Sequence, residues 1–283
     1  MNKKVYLVIL TVITVFCIIF GTAFHFFGWI SGDLLGNYIS SGQSDSNTER
    51  NEIGQGRISY SEKHDAFTAI RIDASVLEIN IKTGDDYHVT YDSVSYLTPQ
   101  IRTKDSVLII EQPSVFKLNT NNNQCELTIT VPSDITLQNL DVQADVGNIH
   151  FTDIKSGKTA LQADVGNIEA DNCSFSYINA EADVGAIQFD GCVLEKGELS
   201  ADVGSITLDD CTFTDLELSG DLGDITVRTP LDLSDYSMEL SVEVGKLKVN
   251  GTTFKRSYNQ RGSEMKHLEI ENELGNVEVE YTK

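Results

Sequence analysis

Asp145-Val146-Gly147-Asn148-Ile149 returns as Asp164-Val165-Gly166-Asn167-Ile168, then as Asp183-Val184-Gly185-Ala186-Ile187, Asp202-Val203-Gly204-Ser205-Ile206 and Asp221-Leu222-Gly223-Asp224-Ile225. Each glycine stands 19 residues after the one before it. Weaker copies follow at Glu243-Val244-Gly245-Lys246 and Glu273-Leu274-Gly275-Asn276, at spacings of 22 and 30. Five copies at one spacing mark a repeat architecture. A period of 19 residues is too short for two packed helices and their turns. It suits one turn of a β-solenoid, with three short strands separated by corners.

The apolar positions agree with strands. Ile149, Ile168, Ile187, Ile206 and Ile225 stand two residues after the repeat glycine, and Phe151, Ala170, Phe189, Leu208 and Val227 stand four after it. Cys173 with Phe175, Cys192 with Leu194, and Cys211 with Phe213 form further pairs two apart, so both members face one way. Stacked turns about 4.8 Å apart make each inward position a column of like side chains. Val165 is read as inward too. Its spacing of three to inward Ile168 puts a slip, and hence a corner, at Gly166-Asn167. Glycine takes the positive φ of a sharp corner without a Cβ clash, and the preceding Asp can bond corner N–H groups as in Asx turns. Asp171-Asn172, Asp190-Gly191 and Asp209-Asp210 mark a second corner.

Outward from the repeat, Ala69 to Asp73, Val76 to Ile81, Tyr87 to Tyr91 and Glu126 to Val131 alternate as half-buried strands do. Asn119 to Asn123 reads as a loop. Residues 31–56 are rich in Ser, Gly, Asn and Gln and read as a flexible tether. Before it, Lys3 and Lys4 precede an uncharged run from Val5 to Gly32, closed by Asp33. A helix over 5–30 spans a hydrocarbon core of about 30 Å. The exit through Phe24, Phe26, Phe27 and Trp29 is bulky and aromatic, which suits a membrane interface and not a small-x-small cleavage site. Phe16 before Cys17 also argues against a lipoprotein site. The expected organisation is a cytoplasmic N-terminus over 1–4, a single-pass anchor over 5–30, the tether over 31–56 and an extracytoplasmic β-solenoid over 57–283. The fold class is all-β, a single-stranded parallel β-helix with turns of about 19 residues behind one transmembrane helix.

Val131-Pro132-Ser133-Asp134 before a strand, followed by repeated Asp-Val-Gly-x-Ile, resembles the bacterial putative-adhesin domain family of unknown function. The resemblance covers about Ile58 to Tyr281. It implies a domain behind one membrane anchor in the cell envelope of a Gram-positive bacterium, in a family sometimes found near envelope-stress systems. It carries no catalytic motif onto this chain. The insertion from Thr252 to His267 departs from the even rhythm.

Charge narrows the partners. The chain has 43 Asp and Glu against 21 Lys and Arg, a formal charge of -22. Nucleic acid is excluded as a partner because its phosphates would be repelled. Between Asp141 and Pro230 stand 18 acids and 4 bases. Asp145, Asp164, Asp183, Asp202 and Asp221 form one expected ladder, and Asp171, Asp190 and Asp209 a second. They serve as corner hydrogen-bond acceptors or as calcium ligands, since hard cations seek oxygen. The repeat nevertheless lacks the glycine-paired nonapeptide of calcium-binding β-rolls. The cysteine row is either a buried apolar column or a disulfide or soft-metal ladder, although in-register parallel Cβ vectors fit a disulfide badly.

Catalysis has little to build on. His25, His64, His88, His150 and His267 fall in no ligand spacing, and Gly157-Lys158-Thr159 lacks the first glycine of a phosphate loop, where Thr152 stands. Catalytic, cofactor-binding and metal-binding residues are therefore none, and no enzyme is expected. The expected function is a membrane-anchored module for binding, adhesion or envelope-stress sensing, with a protein or cationic-peptide partner. A scaffold for another membrane protein is the alternative, and a carbohydrate-active enzyme a weaker one.

Overall fold

The computed structural model describes residues 56–113 and 125–281. The expected anchor over 5–30, the tether except for Gly56, and the Asn119 to Asn123 loop lie outside the described residues. Among the described residues no helix is long and apolar enough to cross a membrane. The only helical pieces there are two 3-10 turns, Ser95–Leu97 and Leu233–Asp235.

Each repeat contains two strands, where three were expected. A long strand (Lys155–Val165, Ser174–Val184, Val193–Val203, Thr212–Leu222) leads into a short one (Ile168–Asp171, Ile187–Asp190, Ile206–Asp209, Ile225–Thr229). The missing corner survives as a slip inside the long strand. Phe175 and Ile178 are both buried although three apart, while pairing to the neighbouring turns skips Ser176 and resumes in the same register beyond the bend. Long strands enter an 11-stranded sheet and short strands a 12-stranded one. Both are open and mainly parallel, in a solenoid-like stack.

Register follows the repeat. Ile168 pairs with Ile149 and Ile187, and Ala163 with Ala144 and Ala182. Like residues therefore stack into columns, and the inward faces of both sheets share one core. The Phe151 and Phe175 rings meet edge-on across it at 6.4 Å. Each buried Ile, Leu or Phe contributes about 1.5–3 kcal/mol, against about 1–2 kcal/mol of backbone entropy for every residue ordered. One turn buries too few side chains to stand alone, so stability depends on stacking.

The glycine corner is set by close approach. A Cβ on Gly185 would overlap the Gly166 carbonyl oxygen, and one on Gly147 (φ +137°) would overlap the Leu77 carbonyl. The expected acceptor was misplaced. Asn148 Oδ1 accepts from the Asn167 N–H at 2.8 Å, and Asn167 Oδ1 from the Ala186 N–H at 2.9 Å. The side chain bridging turns thus follows the glycine, whereas the repeat Asp precedes it on the outside of the long-strand sheet. Val165 is likewise not inward: it is 47% exposed, because the strand outruns the core before it turns. At the second corner Asp153, Asn172, Gly191 and Asp210 take left-handed φ of 59°, 53°, 61° and 49°, the conformation that Asn, Asp and Gly tolerate best.

At both ends the spatial order departs from chain order. The chain builds Tyr236–Val244 with Leu247–Val249, and folds Ser257–Gln260 and Thr252–Phe254 back antiparallel on them. It then inserts Ser263–Leu274 and Val277–Tyr281 between that turn and the Gly223 turn. The last two weak copies are therefore exchanged in space. Similarly, Ala69–Val76 with Glu78–Gly84 sits between two later turns. All four sheet edges are antiparallel strands of 3 to 7 residues: Arg57–Lys63, Gln100–Lys104, Thr252–Phe254 and Ser257–Gln260. Short edges limit further strand addition.

Candidate functional site

The outer face of the long-strand sheet collects carboxylates. By register the Asp145, Asp164, Asp183, Asp202, Asp221 ladder continues into Glu273 and Glu243. A parallel row runs Glu198, Glu217, Glu269, Glu239. Together with Glu181 and Glu271, the first three of these line a shallow depression of about 310 Å³. Neighbouring rungs are about 4.8 Å apart, so these charges repel one another. Burial, followed by the repulsion of Glu217, raises the Glu269 carboxyl above its ordinary range, with His267 opposing. Burial and neighbouring aspartates do the same to Asp145, Asp183 and Asp221.

Cations stand at the margins. Arg71 lies 3.3 Å from Asp141, three rungs before Glu198 in the column of the glutamate row, and Lys196 lies 3.3 Å from Asp215, outside both rows. Among the described residues no Lys or Arg forms an ion pair with the Asp ladder or with Glu198, Glu217, Glu269 or Glu239. The second expected ladder differs. Asp171, Asp190 and Asp209 do stack in register, but His150 Nε2 lies 3.3 Å from Asp171 and Arg228 Nη1 lies 3.2 Å from Asp209. That ladder is bracketed within the molecule, and the long-strand ladder is not.

Beside the Asp ladder runs a row that sequence reasoning placed in the core. Val76, Val146, Val165, Val184, Val203, Leu222, Leu274 and Val244 are in register along the glycine corner. Val146, Val165, Leu222 and Val244 are 37–47% exposed. The signal was present in the sequence, since the position stays apolar in every copy. It was assigned inward because alternation alone does not show where a strand outruns its partner sheet. The glutamate row was missed for another reason: Glu269 joins it only through the out-of-order insertion.

Cys173, Cys192 and Cys211 form the buried column, and Cys125 lies apart from it beside Ser93. Cys125, Cys173, Cys192 and Cys211 are free and buried. Cys192 Sγ donates to the Ala170 and Asp190 carbonyls at 3.3 Å and accepts from the Cys173 N–H at 3.4 Å. The adjoining Cys173 thiol, then burial, push Cys192 up to about 12, with Cys211 opposing. Such a thiol is a poor nucleophile. Among the described residues no group of three or more His, Cys, Asp or Glu is arranged to hold a metal. Gly157-Lys158-Thr159 lies within the strand Lys155–Val165, where Thr159 is fully buried, so it forms no phosphate loop. His64 contacts Tyr60, His88 contacts Ser61, and His150 and His267 lie on different sheets.

The comparisons bear on family. A structure described as a putative cell adhesion protein from Clostridium sporogenes aligns over 80% of this chain and 100% of its own, with 16% identity and a TM-score of 0.39. A putative adhesin from Bacteroides fragilis aligns over 80% and 98%, with 14% identity and a TM-score of 0.46. A putative lipid binding protein from Parabacteroides distasonis aligns over 80% and 97%, with 12% identity and a TM-score of 0.43. None of the curated proteins matches. The Toastrack DUF4097 family matches residues 67–239, more than half of the sequence, and the chain belongs to that family.

Proposed function

We propose that this chain is a membrane-anchored binding module of the cell envelope, and that its long-strand sheet presents carboxylate rows outside the membrane to a cationic protein or peptide. The observation that carries this reading is the pair of acidic rows, Asp145 to Asp221 and Glu198 to Glu239, whose named carboxylates pair with no Lys or Arg among the described residues, with Glu269, Asp145, Asp183 and Asp221 raised. A cation docked there relieves the repulsion between rungs, so binding draws on a cost already present in the free protein. The uncharged run Val5 to Gly32 behind Lys3 and Lys4 supports the anchor and its orientation. The Asp ladder recurs with the architecture and the depression lined by the glutamates is shallow, which favours recognition over glycoside hydrolysis.

The test is a titration of the full-length chain with a lysine-rich peptide. Binding should fall steeply between 0.1 M and 1 M salt, as the Debye length shrinks from about 10 Å to about 3 Å. The Glu198→Gln, Glu217→Gln, Glu269→Gln triple variant should bind more weakly at low salt. Salt-independent binding, or unchanged affinity in that variant, would refute the reading.

A further inference from the structure

The repeat valine has no core to fill at its exposed rungs, yet every copy keeps Val or Leu there. The row holds eight aliphatic side chains in register from Val76 to Val244. At about 4.8 Å per rung its seven intervals span roughly 34 Å. Four of its rungs are exposed, Val184, Val203 and Leu274 are half-buried, and Val76 packs against the core. A partly exposed apolar row of that length marks an interaction line. The acidic ladder runs alongside it, one residue earlier at every rung except Val76, which follows Ser75.

We propose that this spine is the docking line for a cationic amphipathic helix, whose apolar stripe lies on the Val/Leu row and whose Lys or Arg side chains reach the Asp ladder. The proposal deepens the function proposed above and rests on it. Charge selects the occupant. A second copy would set acid against acid in a chain of net charge -22, and an anionic lipid surface would be repelled in the same way. The tether over 31–56 is itself acidic, with Asp33, Asp45, Glu49 and Glu52 against Arg50. An added strand finds no free backbone, because the corner groups bond between turns: Gly166 N–H to Val184 O, and Gly185 N–H to Val203 O, both at 3.0 Å. Recognition therefore goes through side chains. A helix of about 22 residues, at 1.5 Å each, covers the whole line.

The probe is a 22-residue Lys/Leu peptide with leucines at i, i+3, i+4 and i+7 spacing, set against a scramble of the same composition. Both are titrated into the full-length chain at 0.1 M and 1 M salt. The amphipathic peptide should bind at least tenfold more tightly than the scramble, and the preference should persist at 1 M salt. The Val165→Thr, Val184→Thr, Val203→Thr triple variant keeps the β-branched shape and should lose that preference. Val184→Ile adds apolar area without a polar atom and should tighten binding, which guards against a misfolded triple variant. Equal binding of the two peptides, or a preference untouched by the threonines, would overturn the proposal. If the glutamine triple loses affinity while the threonine triple keeps its preference, the acidic-face reading stands and the spine falls. If neither peptide binds, both fall.

Discussion

Gly185→Ala is the smallest change that tests the stacking of the corners. The added Cβ would overlap the Gly166 carbonyl oxygen, which belongs to the neighbouring turn's backbone and cannot rotate away. Relief requires the two turns to part locally. That strains the corner bonds from Gly166 N–H to Val184 O and from Gly185 N–H to Val203 O, both 3.0 Å. Two weakened bonds cost about 2 kcal/mol at about 1 kcal/mol each, and forcing a methyl into close-packed backbone costs a further ~1–3 kcal/mol. The total is about 3–5 kcal/mol. At roughly 2–4 °C per kcal/mol for a domain of this size, the melting temperature should fall by roughly 6–20 °C. Gly56→Ala is the control, because nothing lies within 4 Å of its added Cβ. Thermal unfolding followed by circular dichroism reads both. A Gly185→Ala melt indistinguishable from wild type would refute the claim that close approach fixes the glycines.

Four other outcomes are expected. Asn272 Nδ2 donates to the Gly223 carbonyl at 3.0 Å, but its Oδ1 is buried without a partner, so Asn272→Ala should trade about 1 kcal/mol of hydrogen bond against about 1–3 kcal/mol of relieved desolvation and leave the melting temperature unchanged or raised. Cys192 should resist alkylation in the native chain and react once it is denatured, since it is buried and raised to about 12; rapid native labelling would contradict its placement. Asp145, Asp183, Asp221 and Glu269 hold their protons more tightly when folded, so between their raised values and the ordinary 3.8 and 4.5 the native state binds more protons and stability rises as pH falls. Glu111, lowered by Arg102, opposes this, and a melt that only weakens as the pH falls towards 4.5 would count against the repulsive rows. Finally, protease added to intact protoplasts should remove the repeat region, and its protection would refute the proposed topology.

The stacked core was legible because it is periodic. Ile168, Ile187 and Ile206 stand 19 apart, lie beside one another in the short-strand sheet and are fully buried. The second corner was legible because left-handed φ selects Asn, Asp or Gly, which is what Asn172, Gly191 and Asp210 are. Other features depend on relations that spacing does not carry. Whether Phe175 to Ile178 is a corner between strands or a bend within one depends on pairing across turns. Val165 alternates like a core residue, and only the relative reach of the two sheets exposes it. The exchanged order of the last turns leaves one local trace, the irregular insertion from Thr252 to His267. Its consequences include Asn272 in the column of Ala163, Ala182 and Ala201, where Gly220 makes room for it. The candidate site was half readable: the Asp ladder is periodic, whereas the glutamate depression is completed by Glu269 and Glu271 from the inserted strand.

The most direct test of the binding role compares the two outer faces in living cells. A photo-crosslinking amino acid replaces Ser200 or Ser219 on the long-strand sheet, or Thr207 or Thr226 on the short-strand sheet. Adducts are then identified by mass spectrometry. The account predicts adducts from Ser200 and Ser219 with a partner whose crosslinked segment is rich in Lys or Arg, and loss of those adducts in the Glu198→Gln, Glu217→Gln, Glu269→Gln background. Equal adducts from Thr207 and Thr226, or a crosslinked segment without basic residues, would contradict it.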